Sequence, residues 1–501
     1  MRRLIAAAML AVPAPAIACG GIFCSPAPQA PGPPVVQAAE RIVFAVDGAE
    51  IEAHVQIFYE GDPIDFAWVV PVPSEPELLL GSDALFDVLA AQTRPEFIVT
   101  FEETGDCVGS SGCNGGVGGR RTSFAPNDMA FDSDFADTGY WNEDVDDGVD
   151  IIQQSQVGPF ETVTLKADTA EDLLTWLQDN DYQLPDDLDP VLAPYVAGNS
   201  YFVALRLQND AGTGAIEPLV MRYQGEKGMI PITLTSIAAA EDMALEVYIF
   251  GDHRAVPENY LHVEVNPAAI DWLSAGANYF DVVTRAVDAA GGKAWVTDFA
   301  GSPAYLEGQV RLAAGSINAM SDEENDAVLR AEDLLEMPML TRMSTSMSPI
   351  DMDMDPLFVL NSDMPNVSRT QLATVTWDCR GPRTYSDAYR EIALPDGSVQ
   401  LMPSTSDASD SAGYLAAYDV PALRIERTGR TGEPELQADN AAAAQTELKR
   451  HNSDVRAIVR TRPGPGVGCS ISSTPARFAA AWLVLALAFM RRRHLATGDA
   501  S

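Results

Sequence analysis

The first eighteen residues restrict everything that follows, because they read as an address that takes the chain out of the cytoplasm. Met1–Ala18 has a basic start at Arg2 and Arg3 and an apolar run from Leu4 to Val12. Ala16-Ile17-Ala18 then puts small residues at the two positions a signal peptidase reads. A buried N-terminal helix would not carry Pro13 and Pro15 inside the run. The body is therefore expected to fold in an oxidising compartment, where disulfides persist.

The other end predicts the same side of the membrane. Phe478–Met490 (FAAAWLVLALAFM) is uncharged and runs directly into Arg491, Arg492, Arg493 and His494. Arginines stay inside, so the C-terminus is expected in the cytoplasm and the body outside it. Thirteen residues at 1.5 Å each cover about 20 Å of a hydrocarbon core of roughly 30 Å. A segment this short suits either a span with snorkelling Arg477 or a tail that is recognised and removed. Ahead of it lies a Pro/Gly linker, 461–476, ending in Gly468-Cys469 and a few polar residues. The succession of Gly-Cys pair, hydrophobic helix and Arg cluster resembles the Cys-containing C-terminal sorting tails of myxobacterial type. That resemblance implies Cys469 as the processing and lipid-attachment position.

Six cysteines fit an oxidising compartment: Cys19, Cys24, Cys107, Cys113, Cys379 and Cys469. Cleavage after Ala18 would leave Cys19 first and open to lipid attachment, but Ala16 stands where a lipoprotein box usually has a bulky aliphatic residue. Disulfides are favoured. Cys19 with Cys24 and Cys107 with Cys113 would each close a small Gly-containing loop. Neither spacing is the two-residue knuckle of a zinc site, and no histidine lies nearby. Cys379 could pair with Cys469, unless the tail is processed there.

Between the ends, 47% hydrophobic content in 501 residues allows a sizeable core. A formal charge of −40 excludes nucleic acid as a partner, since phosphate would meet long-range repulsion. After a Pro-rich spacer (residues 19–34 with the first Cys pair), Arg41–Val46 and Ile51–Tyr59 flank Asp47-Gly48 as a hairpin. Ile64–Val72 reads as a third strand, which its prolines end or place at an edge. Ser82–Gln92 is expected helical and Phe97–Phe101 extended. Residues 104–158, rich in Gly, Asp and Asn, read as a surface insertion. A helix capped by Thr169, strands at Tyr201–Leu207 and Leu245–Ile249, and a helix at Ala277–Ala290 follow. Ser321 with Glu324 makes a capping box. Later, Arg383–Leu394 and Ser398–Met402 form a second hairpin, and Ala438–Arg450 is helical.

Several blocks together resemble the domain of unknown function 2330 family. They are Cys19-Gly-Gly-Ile-Phe-Cys24, Val36-Gln-Ala-Ala-Glu-Arg-Ile42 and Phe66-Ala-Trp-Val-Val-Pro-Val-Pro73. Leu174-Thr-Trp-Leu177 leading to Tyr201–Leu205, and Leu340-Thr-Arg-Met343 leading to Asp355-Pro356, extend the likeness over about Cys19–Asp378. The resemblance implies an exported bacterial envelope protein and lends no reaction and no catalytic residues.

The residues themselves carry little chemistry. Of five histidines, His54, His253, His262, His451 and His494, none forms a metalloprotease pair. Asp252, His253 and Arg254 could meet at a strand end. Asp132, Asp134, Asp137, Asp144 and Asp146 offer hard oxygens to Ca²⁺, yet Gly148 falls one place late for an EF-hand loop, which favours a solvated acidic segment. Met337, Met339, Met343, Met347, Met352, Met354 and Met364 could take Cu(I), but irregular spacing favours core filling. No cofactor is predicted.

The expectation is a β-rich α+β extracytoplasmic domain over 35–365 with several short helices, a smaller β-containing segment over 366–460, and one hydrophobic tail helix within 477–494. The membrane, through that tail, and the export and sorting machinery are the expected partners. Its role reads as structural or interactive. A Ca²⁺- or copper-binding envelope protein comes second, and a hydrolase with a dispersed site third.

Overall fold

The computed structural model describes residues 22–23, 36–60, 67–104, 148–180, 182, 188–207, 217–315, 320–378, 389–403 and 422–461. The signal segment, the 461–476 linker apart from Thr461, which ends a helix, and the tail at 477–494 lie outside the described residues. Among those described, no helix is long and apolar enough to cross a membrane. The chain is a mixed α+β protein, rich in strands, with several helices.

Its spine is a ten-stranded sheet. In spatial order the strands are Glu435–Asp439, Arg424–Arg427, Leu261–Glu264, Ala294–Gly301, Met339–Met347, Ala239–Gly251, Val36–Asp47, Glu50–Glu60, Leu219–Gln224 and Glu77–Leu80. The expected Asp47-Gly48 hairpin is present, with Gly48 at φ +62° in the turn and Asp47 opposite Glu50. A five-stranded sheet packs on one face of this spine. Ala67–Val72 lies within it, paired to Tyr201–Leu207. On its other side Ile22–Phe23 covers Ala67 and Trp68, and among the described residues Pro71 has no strand partner on that flank.

The period-two pattern explains the layers. Ile42, Phe44, Val55, Trp68, Val70, Val203 and Leu205 meet between the two sheets. Val43, Ala45, Tyr248 and Phe250, from the opposite pleat, pack under helices Asp83–Thr93, Gln309–Ala314 and Asp322–Leu334. Val69, Val163, Phe202 and Ala204 pack under Ala170–Asp179 and Asp189–Ala197. The result is helix, sheet, sheet, helix.

Three boundaries differ from those read in the sequence. Ile22–Phe23 is already a strand, so the fold reaches back before the Pro-rich spacer. Val149–Val157, read as the end of the insertion, is a strand paired with Phe160–Ala167. It hid because Gln153, Gln154 and Gln156 on a sheet edge leave no apolar alternation. Residues after 366 join the body through strand pairing: Thr370–Asp378 runs parallel to Glu96–Thr104, and Arg424–Arg427 pairs with Leu261–Glu264.

The caps match their sequence signals. Thr169 accepts from the Asp172 amide. At Ser321 both halves of the capping box form, and three acidic residues occupy the first turn. Ser321→Ala is expected to cost about 1 kcal/mol, read as a lower midpoint in chemical denaturation.

Candidate functional site

At the far end of the spine, strands Leu261–Glu264 and Arg424–Arg427 pair so that His262 stands opposite Glu426 and Glu264 opposite Arg424. Alternation puts these four polar side chains on one face and sends Val263 and Ile425 to the apolar cluster behind. On the neighbouring strand Trp295 is in register with His262, so Thr297, two residues on, shares that face. The face lines a cleft of about 830 Å³, walled also by Phe97, Trp272, Tyr279, Pro267, Pro365 and Pro395. This volume lies in the range of sites that take small molecules.

Arg254, at the start of strand Arg254–Pro257, is 4% exposed and lines the same cleft. Its Nη1 donates to the Pro365 carbonyl at 2.8 Å and its Nη2 to Thr297 Oγ1 at 3.1 Å. Among the described residues its Nε has no hydrogen-bond partner. Burial pushes this guanidinium down to about 10, with the charges of Glu264 and Glu426 opposing. Thr297 Oγ1 also lies 3.0 Å from His262 Nε2. A guanidinium can only donate, so the Thr297 oxygen accepts from Arg254; with a second lone pair and its own proton, the hydroxyl can serve His262 Nε2 in either tautomer. His262 Nδ1 is buried and has no hydrogen-bond partner among the described residues. Glu426 Oε2 lies 3.9 Å from it, an ion-pair separation rather than a hydrogen bond. His262 holds Glu426 below the ordinary carboxylate range against the effect of burial, and Arg424, at 2.6 Å, adds to this.

A bulge completes the site. Thr297 pairs with Met343 and Phe299 with Arg342, which leaves Asp298 as the extra residue. Asp298, its side chain fully buried, accepts from the Tyr279 hydroxyl and pairs with Arg342 Nε at 3.2 Å. Arg342 Nη2 grips Glu246 at 2.7 Å, and Glu246 in turn accepts from Tyr248 at 2.8 Å and meets Arg41 at 3.4 Å. Asp298 and Glu246 hold Arg342 charged above its ordinary value although burial opposes it. The cleft wall is rigid for an identifiable reason. Phe97 stacks edge-on to Trp272 at 5.3 Å and beside Tyr279 at 5.5 Å. Gly276, at φ +74°, lets its ring in, since a Cβ there would sit 2.1 Å from it. Gly276→Ala is expected to lower stability by about 2–4 kcal/mol in thermal unfolding, from left-handed strain plus the overlap.

The residues singled out from the sequence fall elsewhere. Cys19, Cys24, Cys107, Cys113, Cys379 and Cys469 all lie outside the described residues. So do Asp132, Asp134, Asp137, Asp144 and Asp146. Among the described residues, no group of three or more His, Cys, Asp or Glu is placed to hold a metal. Met343, Met347 and Met352 are buried in the core between the sheets, as core filling requires, while Met354 is 38% exposed. Asp252 and His253 are exposed and only their neighbour Arg254 turns inward. Trp68 and Trp176 are buried anchors. His262, Thr297, Asp298, Arg424 and Glu426 were not foreseen. Their segments are four to eight residues long and come together only through pairing of strands far apart in sequence.

Comparison with protein families matches residues 13–314 to the family described as "Uncharacterized protein conserved in bacteria (DUF2330)". The matched stretch contains the blocks at 19–24, 36–42, 66–73, 174–177 and 201–205, and it ends before those at 340–343 and 355–356. No curated protein and no solved structure matches the chain.

Proposed function

The chain belongs to this DUF2330 family, whose description assigns no reaction, and from that premise we propose an exported, envelope-held interaction module that acts by binding. The observation that carries binding is the cleft of about 830 Å³, floored by Arg254, His262, Thr297 and Glu426 and walled by aromatic rings and prolines. The family-matched region supplies the first three and the segment beyond it supplies the fourth. Export and anchoring are supported by the Met1–Ala18 signal pattern and by the Phe478–Met490 run with its arginines.

Mass spectrometry of the native protein from its membrane fraction, reading both termini and every cysteine, tests the cellular half of this proposal. A chain beginning at Cys19 and ending near Cys469 with added lipid would support a sorted surface protein. A chain intact through Ser501 with Cys379 bonded to Cys469 would overturn sorting and leave a membrane-tethered module. A chain that retains Met1–Ala18 would overturn export. Calorimetric titration with Ca²⁺ and with Cu(I) addresses the metal-binding alternative, which rests on the aspartates and methionines named above.

One observation favours a second reading. Thr297 Oγ1, His262 Nε2, His262 Nδ1 and Glu426 stand in the order of a hydroxyl, imidazole and carboxylate relay. The Arg254 bond into the Thr297 oxygen and the 3.9 Å gap at Nδ1 weigh against it. The expected result is that a fluorophosphonate probe leaves Thr297 unlabelled. Labelling there would favour the hydrolase.

A further inference from the structure

Arg254 is the one guanidinium lining this cleft that is both buried and without a carboxylate in ion-pair contact among the described residues. Arg424 has Glu426, and Arg342 behind the wall has Glu246 and Asp298. Among the described residues Arg254 makes contact only with the neutral Pro365 carbonyl and Thr297 hydroxyl, while Glu264 and Glu426 act on it from beyond contact. A buried cation with neutral acceptors alone is costly to fold around, and its unpartnered Nε leaves one donor of the fork unused. The neighbouring His262 Nδ1, also buried and also lining the cleft, is a second unused group.

From this charge left open at the floor of an apolar-walled cleft, we infer that the site takes a small organic carboxylate with an apolar body, its oxygens on Arg254 and its body against Phe97 and Pro365. The inference rests on the cleft being a binding site. Carboxylate is favoured over phosphate because the cleft offers one guanidinium without a carboxylate in contact, which matches a single charge. The cleft is also lined by Glu264, Asp298, Asp363, Asp396, Glu426 and Glu433, whose repulsion of a dianion is about twice that of a monoanion. The fork geometry of a guanidinium suits the two oxygens of a carboxylate.

The test is calorimetric titration of the purified full-length protein with benzoate, benzyl alcohol and inorganic phosphate. Benzoate is expected to bind with a Kd of about 1 mM, the strength open to a ligand of its size. Arg254→Gln is expected to weaken it by about tenfold to a hundredfold. Arg254→Lys, which keeps the buried charge but loses the fork, is expected to fall between the two, and it keeps the test valid if the Gln variant does not fold. Absence of benzoate binding, or unchanged affinity in both variants, overturns the inference. Benzyl alcohol binding as tightly as benzoate overturns the charge assignment and leaves the cleft a binding site. Phosphate binding more tightly than benzoate overturns the carboxylate in favour of a phosphate ligand.

Discussion

Replacing Arg342 with methionine is expected to cost about 3–5 kcal/mol. Arg342 is 5% exposed and sits mid-strand in Met339–Met347, between Glu246 on one neighbouring strand and Asp298 in the bulge of the other. Methionine fills much of the space but leaves the buried Asp298 and the part-buried Glu246 without their shared cation. Arg41, half-buried at 3.4 Å from Glu246, can answer only one of them. The loss should appear as a lower midpoint in chemical denaturation with unchanged slope. Adding Asp298→Asn and Glu246→Gln to Arg342→Met should recover a good part of it, because amides carry no charge to strand. A loss below about 1 kcal/mol in the single variant would mean that the carboxylates are already relieved by protons or water. The bulge at Asp298 also sets Thr297, so the same variant should perturb benzoate binding.

Acidification is expected to remove about 3 kcal/mol through Glu52 alone. Burial by itself would raise this carboxyl; hydrogen bonds and charge from His54 and Arg222 outweigh burial and hold it at about 2, from an ordinary 4.5. His54 Nε2 is 2.7 Å from Glu52 Oε1, and Arg222 Nη2 is 2.7 Å from Oε2. The folded value is depressed, so the stabilisation is fully present above about 4.5 and is lost as pH falls from there through about 2. Stability measured across that window should decline steeply in the wild type. Glu52→Gln should start lower and decline less. Equal slopes in the two proteins would show that Glu52 does not titrate as its contacts require.

That second prediction marks where reading the sequence stops. Along Ile51–Ile57 the apolar and polar positions alternate, and alternation alone implies one face in the core and one in water. The register was legible, and Ile51, Ala53, Val55 and Ile57 do face the core between the sheets. The polar face is buried as well: Glu52 is 8%, His54 0% and Gln56 6% exposed. Arg222, directly opposite Glu52 on the next strand, and Asp83, which begins a helix 27 residues away, provide partners that no local pattern announces. Arg41 and Arg342 behave alike. Each stands in a block that resembles the family, yet only the parallel pairing of Val36–Asp47 and the antiparallel pairing of Met339–Met347 on Ala239–Gly251 bring both onto Glu246.

The sequence by itself determined the elements whose signals are local: the hairpin at Asp47-Gly48, the capped helices at Thr169 and Ser321, and the family. These depend on turn geometry, on side-chain oxygens within three residues of an amide, and on contiguous blocks. The tertiary structure decided the cleft. His262, Thr297 and Glu426 lie on three strands of the long sheet, with up to 164 residues between them, and Arg254 enters from a fourth strand in another sheet. Each alone is an ordinary polar residue in a short strand. They become a site because strand order places their segments side by side and because the pleat, with a bulge of one residue, points their side chains into the same space.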